Sequence, residues 1–289
     1  MTQEQRRTAV ITGASSGVGK ATAQALAAQG WDVIGIGRDP QRTAAAEPDI
    51  RAASAGGQVH MIRADLALMA ETAQAADTIA ALTDRVDVLV NNAGGMAKEQ
   101  VVTREGNEGN FASNHLGHFL LTQRLLPLLK RAAAAAPKGS VRIINVSSDA
   151  SEMIPGFDWD DLQLLKGGFS SGRAYCQAKL ANVLFARGLA QRLAADGIIA
   201  HAVHPGTVDS NFASHATEAT QAYIATLDHL TPEQGADTVL WLATAEEPGQ
   251  TSGGYYYLRK PRTPNPLIDD PATVNRLWAE SEKLVAQAH

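Results

Sequence analysis

A single cysteine, Cys176, in 289 residues leaves no partner for an internal disulfide. A cross-linked extracellular scaffold is therefore excluded, and a reducing compartment is expected. The chain has no run of about 20 apolar residues to span a bilayer, and its opening, MTQEQRRTAVITG, lacks the apolar stretch of a secretory signal. Positive charge is in deficit as well. A formal charge of −5 argues against nucleic acid or an anionic membrane surface as the main partner. There is no G-x-x-x-x-G-K-[ST] and no G-x-S-x-G, which disfavours P-loop nucleotide hydrolysis and serine hydrolysis. His115 with His118 and His201 with His204 have a spacing that suggests metal ligands. No nearby carboxylate or cysteine completes either pair, so ordinary packing is expected and no metal. No Gly/Ser linker, repeat or charge run divides the chain. These absences predict one soluble, cytoplasmic domain over residues 1–289.

Hydrophobic residues at 45% and charged residues at 19% suit an ordinary globular core. Short β-branched runs at 8–12, 31–36, 59–62, 86–90, 141–146 and 198–203 read as buried strands. Between them lie helical patterns at 18–28, 42–53, 67–83, 107–135 and 173–195, with a seventh strand at 254–258 and a last helix at 272–286. Strand–helix alternation predicts an α/β fold: one Rossmann-like, doubly wound parallel sheet of about seven strands flanked by helices. Ligands in such sheets bind beyond the carboxyl ends of the strands.

The candidate chemistry lies there. Gly13-Ala-Ser15-Ser16-Gly17-Val18-Gly19 follows the first strand and opens the first helix, where free N–H groups and the helix dipole attract phosphate. By itself such a turn can be only a tight connection, but its place between strand and helix makes phosphate binding the stronger reading. The second strand ends at Gly37-Arg38-Asp39. Arginine here suits a ribose 2′-phosphate and a carboxylate suits a free 2′-hydroxyl. Arg38 favours NADP(H), Asp39 keeps NAD(H) open, and a merely solvated Arg38 is the bland alternative. Lys20 either adds positive potential or sits at the surface. Tyr175 and Lys179 stand four apart on one helix, so hydroxyl and ammonium share a face. A neighbouring cation favours phenolate and makes a tunable acid or base of a phenol that ordinarily titrates near ~10. Alone, Y-x-x-x-K is a common helix pattern. Cys176 is expected to point elsewhere on that helix, as a small buried residue.

These pieces, with Asp65-Leu66, Asn91-Asn92-Ala93-Gly94, Asn114, Asn145-Val-Ser147-Ser148 and Pro205-Gly206, make the chain resemble the short-chain dehydrogenase/reductase family from Thr12 to the Trp278 helix. The strings 111–122, 174–185 and His204-Pro-Gly, and the tail Gly253-Gly-Tyr-Tyr with Arg276-Leu-Trp278, are most similar to its retinol-dehydrogenase-like branch. Members of that branch act on retinoids, steroids and other lipophilic carbonyls, commonly with NADP(H). The resemblance implies that Tyr175 exchanges a proton with a small-molecule carbonyl or alcohol and that Ser148 bonds the same oxygen. Lys179 would lower the phenol pKa and hold the nicotinamide ribose, and Asn114 would hold a relay water. Asp65 would reach the adenine edge, with Leu66 beside it. Asn92, Ala93 and Gly94 would line a ribose, and Val208, after Pro205-Gly206, would meet the carboxamide. Each has a plainer role open to it: Asn91 and Asn92 in a turn, Asp65 at a helix cap, Pro205-Gly206 at a strand end, Ser147 in place of Ser148.

Ser148 and Tyr175 are 27 positions apart, about twice the gap of many family members but like the retinol-dehydrogenase-like branch. The segment 149–173, with Trp159, is expected either to cover an apolar cleft or to pack as a helical excursion on the surface. A second segment, 207–230, is a candidate for closing over cofactor and substrate. Two functions stand: an NADP(H)-dependent oxidoreductase, or a non-catalytic NADP-binding regulator on the same fold. Family members are often dimers or tetramers, so a homo-oligomer is possible; neither substrate identity nor reaction direction is written in the residues.

Overall fold

The structure, a computed structural model, describes residues 6–209 and 217–287. One eight-stranded sheet runs β3-β2-β1-β4-β5-β6-β7-β8. Its strands are β1 Thr8–Thr12, β2 Asp32–Gly37, β3 Val59–Arg63, β4 Val88–Asn91, β5 Arg142–Val146, β6 Ile199–Val203, β7 Tyr255–Tyr257 and β8 Lys260–Pro261. The helices are α1 Gly17–Ala28, α2 Pro40–Ala53, α3 Met69–Leu82, the single turn α4 Gly109–Phe111, α5 Gly117–Ala134, α6 Ser171–Arg192, α7 Glu218–Ile224, α8 Pro232–Thr244 and α9 Pro271–Gln287. β1 pairs in parallel with both β2 and β4, so the strand order reverses there and opens the crevice where dinucleotide folds bind.

Period-2 alternation sorts the strand residues to the two faces. Ala9, Ile11 and Val90 join Leu26 of α1, Ile50 of α2 and Leu242 of α8. Val10, Leu89 and Ile143 join Ile79 of α3, Leu125 of α5, Leu184 of α6 and Leu277 of α9. No helix among the described residues is long and apolar enough to cross a membrane.

The architecture matches the expected sheet and adds an eighth strand. β8 runs antiparallel to β7 through a turn in which Leu258 (φ 48) and Arg259 (φ 59) are left-handed. Tight hairpin turns normally announce themselves as Asn-Gly or Asp-Gly. Here Arg259 is held instead by Thr238, which accepts its N–H at 3.2 Å, and by Asp237, which accepts from its Nε at 2.7 Å.

Three helical stretches also differ. The expected helix 107–135 runs without a gap from Gly109 to Ala134, with a π-helical turn at Ala112–Leu116 between α4 and α5. Helix α8 was not anticipated, although Thr231 and Gln234 form a reciprocal capping box with Pro232 in the first turn. Helix α7 falls inside the segment 207–230, of which residues 210–216 lie outside the described residues. The segment 149–173 is no helical excursion: after a 3-10 turn at Asp149–Glu152 it runs irregularly to α6. Ile154, Phe157 and Trp159 pack against the core, and Arg276 of α9 stacks 4.6 Å over the Trp159 ring. Asn265 donates to the Ile154 carbonyl at 2.7 Å and Gln177 to that of Leu162 at 2.9 Å. The segment is fastened at both ends to α6 and to the C-terminal elements.

Candidate active site

The β1–α1 turn is shaped by what its glycines omit. Gly13 and Gly17 take φ of 71° and 53°, which L side chains rarely adopt. A Cβ on Gly19 would lie 2.4 Å from both Asn92 Nδ2 and the Gly13 carbonyl oxygen. The Asn92 side chain donates to the Thr12 carbonyl at 2.8 Å, and Thr12 Oγ1 accepts the N–H groups of Asn92 and Ala93 at 2.8 Å each. Asn92 thus braces the turn with its side chain, and Thr12 is a site residue that the sequence reading passed over. Ser16 is the N-cap of α1 but makes no side-chain capping bond, and no acidic residue occupies the first turn. The first N–H groups of α1 are therefore uncapped by any side chain, and they fit a phosphate.

Around that turn, Gly37 allows β2 to approach: a Cβ there would meet Thr43 Oγ1 at 2.2 Å and Ser15 Cβ at 3.0 Å. Arg38 is exposed and makes no hydrogen bond or ion pair among the described residues. Asp39 is occupied, its carboxylate accepting the Arg42 N–H at 2.8 Å as the cap of α2. Lys20 pairs with Asp49 at 2.5 Å, a surface role. Asp65 accepts the Ala67 N–H at 3.0 Å and turns the loop before α3, whose N-cap is Leu68. Leu66 is buried, its carbonyl so close to Gly117 that a Cβ there would lie 2.2 Å away. Pro205 leads into Gly206 at φ 88°. Val208 reaches back to the phosphate turn, since a Cβ on Gly235 would touch Val208 Cγ2 at 2.5 Å and Val18 Cγ2 at 2.9 Å.

On the other side of the crevice, α6 carries Tyr175 and Lys179 on one face, with the ammonium nitrogen 5.5 Å from the phenol ring centre. Lys179 donates to the Val146 carbonyl at 3.3 Å. A Cβ on Gly94 would lie 2.5 Å from Asn114 Oδ1 and 3.2 Å from Lys179 Nζ, so Asn114 and Lys179 converge on a glycine that has no side chain to obstruct them. Asn114 lies in the π turn, a geometry frequent at functional sites. Its amide donates to the carbonyls of Gly95 and Asn110, both at 2.9 Å. The two serines after β5 part company. Ser147 is buried and donates to the Lys179 backbone carbonyl at 2.7 Å, tying α6 to the sheet. Ser148 is hydrogen-bonded to Tyr175.

The electrostatics depart from expectation. Burial lowers Lys179 from 10.5 to about 8. Burial also raises the Tyr175 phenol; the Ser148 hydrogen bond works against that rise, and the Asp149 carboxylate adds to it. Burial is the main influence on the Tyr175 phenol, and no lowering by Lys179 offsets it; Lys179 is itself bonded to the Val146 carbonyl. Cys176 is half-buried rather than buried, and burial raises its thiol pKa.

The histidines each bond separately. His115 Nε2 meets Ser281 Oγ at 2.8 Å, and His201 Nε2 donates to the Pro248 carbonyl at 2.9 Å. His118 donates from Nδ1 to the Asn114 carbonyl at 3.0 Å and accepts at Nε2 from Thr12 Oγ1 at 2.9 Å, the tautomer that satisfies both partners. Burial holds His118 at about 3 and His115 at about 4, so both are neutral. His204 is buried, with Nε2 3.9 Å from Asp149 Oδ2 and Nδ1 without a partner among the described residues. Asp149 and His204 are site neighbours that motif reading missed; the only signal was that Asp149 follows Ser148.

The short chain dehydrogenase family model matches residues 7–159. Human retinol dehydrogenase 13 is 39% identical over 286 residues, covering 96% of this chain and 84% of that protein. The chain belongs to the short-chain dehydrogenase family, in its retinol-dehydrogenase-like branch. Mouse polyprenol dehydrogenase is 35% identical over 283 residues, covering 96% and 83%. Among solved structures, the Pseudomonas aeruginosa RhlG/NADP active-site complex superposes with a TM-score of 0.69 at 27% identity, covering 91% of this chain and 96% of that one. This chain is accordingly an oxidoreductase that uses a nicotinamide cofactor on a small molecule. The uncapped α1 N-terminus and the bare glycines at 13, 19 and 94 fit such a cofactor.

Proposed function

We propose that the protein is an NADP(H)-dependent oxidoreductase interconverting a lipophilic alcohol and its carbonyl, with Tyr175 as the proton-exchanging group. The observation that carries the reading is the convergence of Lys179 and Asn114 on the space beside Gly94, with Tyr175 on the Lys179 face of α6. When bound, the nicotinamide supplies or accepts the hydride. The chain's own residues do the rest. Tyr175 gives its proton to the oxygen on which negative charge develops, or takes it from an alcohol, and Ser148 orients that oxygen. Lys179, a cation anchored to Val146, places positive charge near the ribose position, and Asn114 fixes the loop at Gly95. The α1 N-terminus, with Ser15, Ser16 and Val18, would hold the phosphates of such a cofactor, and Pro205, Gly206 and Val208 would hold its carboxamide.

NADP(H) over NAD(H) is supported by Arg38, whose guanidinium has no partner among the described residues, while Asp39 is occupied as a cap. The similarity to a protein solved with NADP points the same way. A lipophilic substrate is supported by relatives named for retinol and polyprenol. A non-catalytic regulator would need no buried ammonium beside a phenol, since burying that charge costs stability. The test is to follow NADPH absorbance with retinal, decanal, farnesal and small ketones, and the reverse reaction with the matching alcohols. Tyr175→Phe is expected to lose roughly 10²–10⁴-fold in turnover while binding NADPH as wild type does. Turnover at the wild-type rate in that variant would overturn the reading.

A further inference from the structure

The carbonyl that anchors Lys179 has a second donor. Val146, at the end of β5, accepts from Lys179 Nζ at 3.3 Å and from Asn182 Nδ2 at 3.2 Å. A carbonyl can only accept, so Asn182 must turn its NH2 end to Val146 and its oxygen away. That oxygen faces His115 Nδ1 at 3.4 Å, which assigns the single hydrogen of the neutral ring to Nδ1. Nε2 is then an acceptor, and the Ser281 hydroxyl of α9, 2.8 Å away, donates to it. The same hydroxyl lies 2.8 Å from the Leu277 carbonyl, the usual i−4 neighbour of a helical serine. Ser281, His115, Asn182 and Lys179 are all buried.

We infer that the C-terminal helix α9 positions the active-site ammonium: Ser281, His115 and Asn182 form a buried chain that ends on the carbonyl holding Lys179. The inference rests on the role given to Lys179 in the function proposed above. All three are positioning residues, and none touches the reacting atoms. Each link has one allowed polarity. Turning the Asn182 amide over would set its oxygen against the Val146 carbonyl and its NH2 against the His115 N–H. The Ser281 hydroxyl is what keeps the ring hydrogen on Nδ1, because it supplies the donor that Nε2 needs. Removing it frees the ring to change tautomer, and the amide loses the partner that orients it.

The surroundings suit such a chain. The His115 ring centre lies 5.1 Å from Phe111, 5.8 Å from Phe185 and 6.1 Å from Phe119. Trp278, one turn before Ser281 on α9, stands 5.0 Å from Phe119 and 5.7 Å from Phe185. This apolar wall holds His115 at about 4, so the ring carries one hydrogen at neutral pH. It also excludes water, which strengthens each hydrogen bond and makes an unmade one costly. The chain joins three segments: α9, the π turn and α6.

The experiment compares wild type with Ser281→Ala, which removes the hydroxyl, and Ser281→Thr, which keeps it. The first readout needs no substrate: the Lys179 ammonium is titrated by NMR of lysine-labelled protein, with Lys179→Met to assign the signal. The titratable groups around it are Tyr175 on α6, His118 on α5 and His204 after β6. Burial raises the phenol and lowers both histidines, so none of them titrates with the lysine. In Ser281→Ala we expect Lys179 to move from about 8 up toward 10.5 as the loosened ammonium reaches water. Its kcat for alcohol oxidation should fall roughly three- to tenfold, with KM little changed. Ser281→Thr should match wild type in both. Asn182→Ala should lose as much, with no further fall when Ser281→Ala is added, since both cut one chain. A wild-type Lys179 titration in Ser281→Ala, or losses that add in the double variant, overturns the positioning role and leaves the proposed function standing. A shifted Lys179 in a protein inert on every substrate keeps the positioning role and overturns the function alone.

Discussion

On the β1–α1 side of the crevice the working surface is backbone. Gly13, Gly17 and Gly19 clear space, Thr12 and Asn92 bind only the chain itself, and Arg38 is a charge without an ion pair among the described residues. On the β5–α6 side the surface is side chain: a buried ammonium, a phenol with its pKa raised, a serine hydroxyl and a half-exposed carboxylate. The first kind of site recognises a constant shape that backbone can fit once and for all. The second must change protonation during a reaction, which backbone amides cannot do. Stability follows the same division. The glycine turn is braced by neutral hydrogen bonds, whereas Lys179 is held against a desolvation cost.

The sharpest way to break this contrast is to put a side chain where the backbone side has none. Gly19→Val would drive its Cβ into Asn92 and Gly13. We expect NADPH affinity to drop by more than 10³-fold, equivalent to about 4 kcal/mol, as read by fluorescence titration. Wild-type affinity would show that the turn does not hold phosphate.

Lys179→Met tests the opposite side. Turnover should fall by at least ~10²-fold, yet the variant should be more stable than wild type at pH 7 by up to roughly 2–3 kcal/mol, because burial lowers the lysine from 10.5 to about 8. Below about pH 8 the folded state carries the buried charge. Between 8 and 10.5 the unfolded chain holds the proton and the folded one does not, so wild-type stability rises. The gap between variant and wild type should close over that interval in urea melts. A destabilised variant at pH 7 would mean that the Val146 hydrogen bond outweighs desolvation.

Trp159→Ala sharpens the comparison at the segment 149–173. Since the indole is stacked under Arg276 and packed on the core, we expect about 2 kcal/mol of lost stability with the same ranking of bulky and small substrates. A changed ranking with unchanged stability would restore the idea of a cleft cover. The smallest effect belongs to Ser147→Ala, about 1 kcal/mol for one hydrogen bond, with activity retained. A large kinetic loss there would exchange the roles of the two serines.

Legibility followed sequence distance. The parallel strands, the glycine turn and the Tyr175–Lys179 pair were readable because apolar runs, glycine spacing and i,i+4 geometry are local. Strand β8 was hidden because its turn uses leucine and arginine in a conformation usually signalled by glycine. Helix α8 was missed although Thr231-Pro232-Glu233-Gln234 is an explicit start signal. The π turn before α5 carries no proline to announce it. The approach of Asp149 to His204 joins residues 55 positions apart, and the raised Tyr175 pKa depends on burial, which no short motif encodes. Lys179 was read correctly as a neighbour of the phenol, but its direction, toward Val146 and the ring, was a matter of packing.

The π turn at Ala112–Leu116 fixes the length of the chain there. It holds one residue more than an α-helical path would, and Asn114 aims at Gly94 because of that surplus. Deleting one residue from the turn would return it to an α-helical path, and Asn114 would lose the backbone position that the π turn gives it. Asn114 would then leave Gly95, and the His118 bond to its carbonyl would break with it. A one-residue shortening of the kind that surface loops absorb would here unfasten the active site while leaving every other residue of the helix intact.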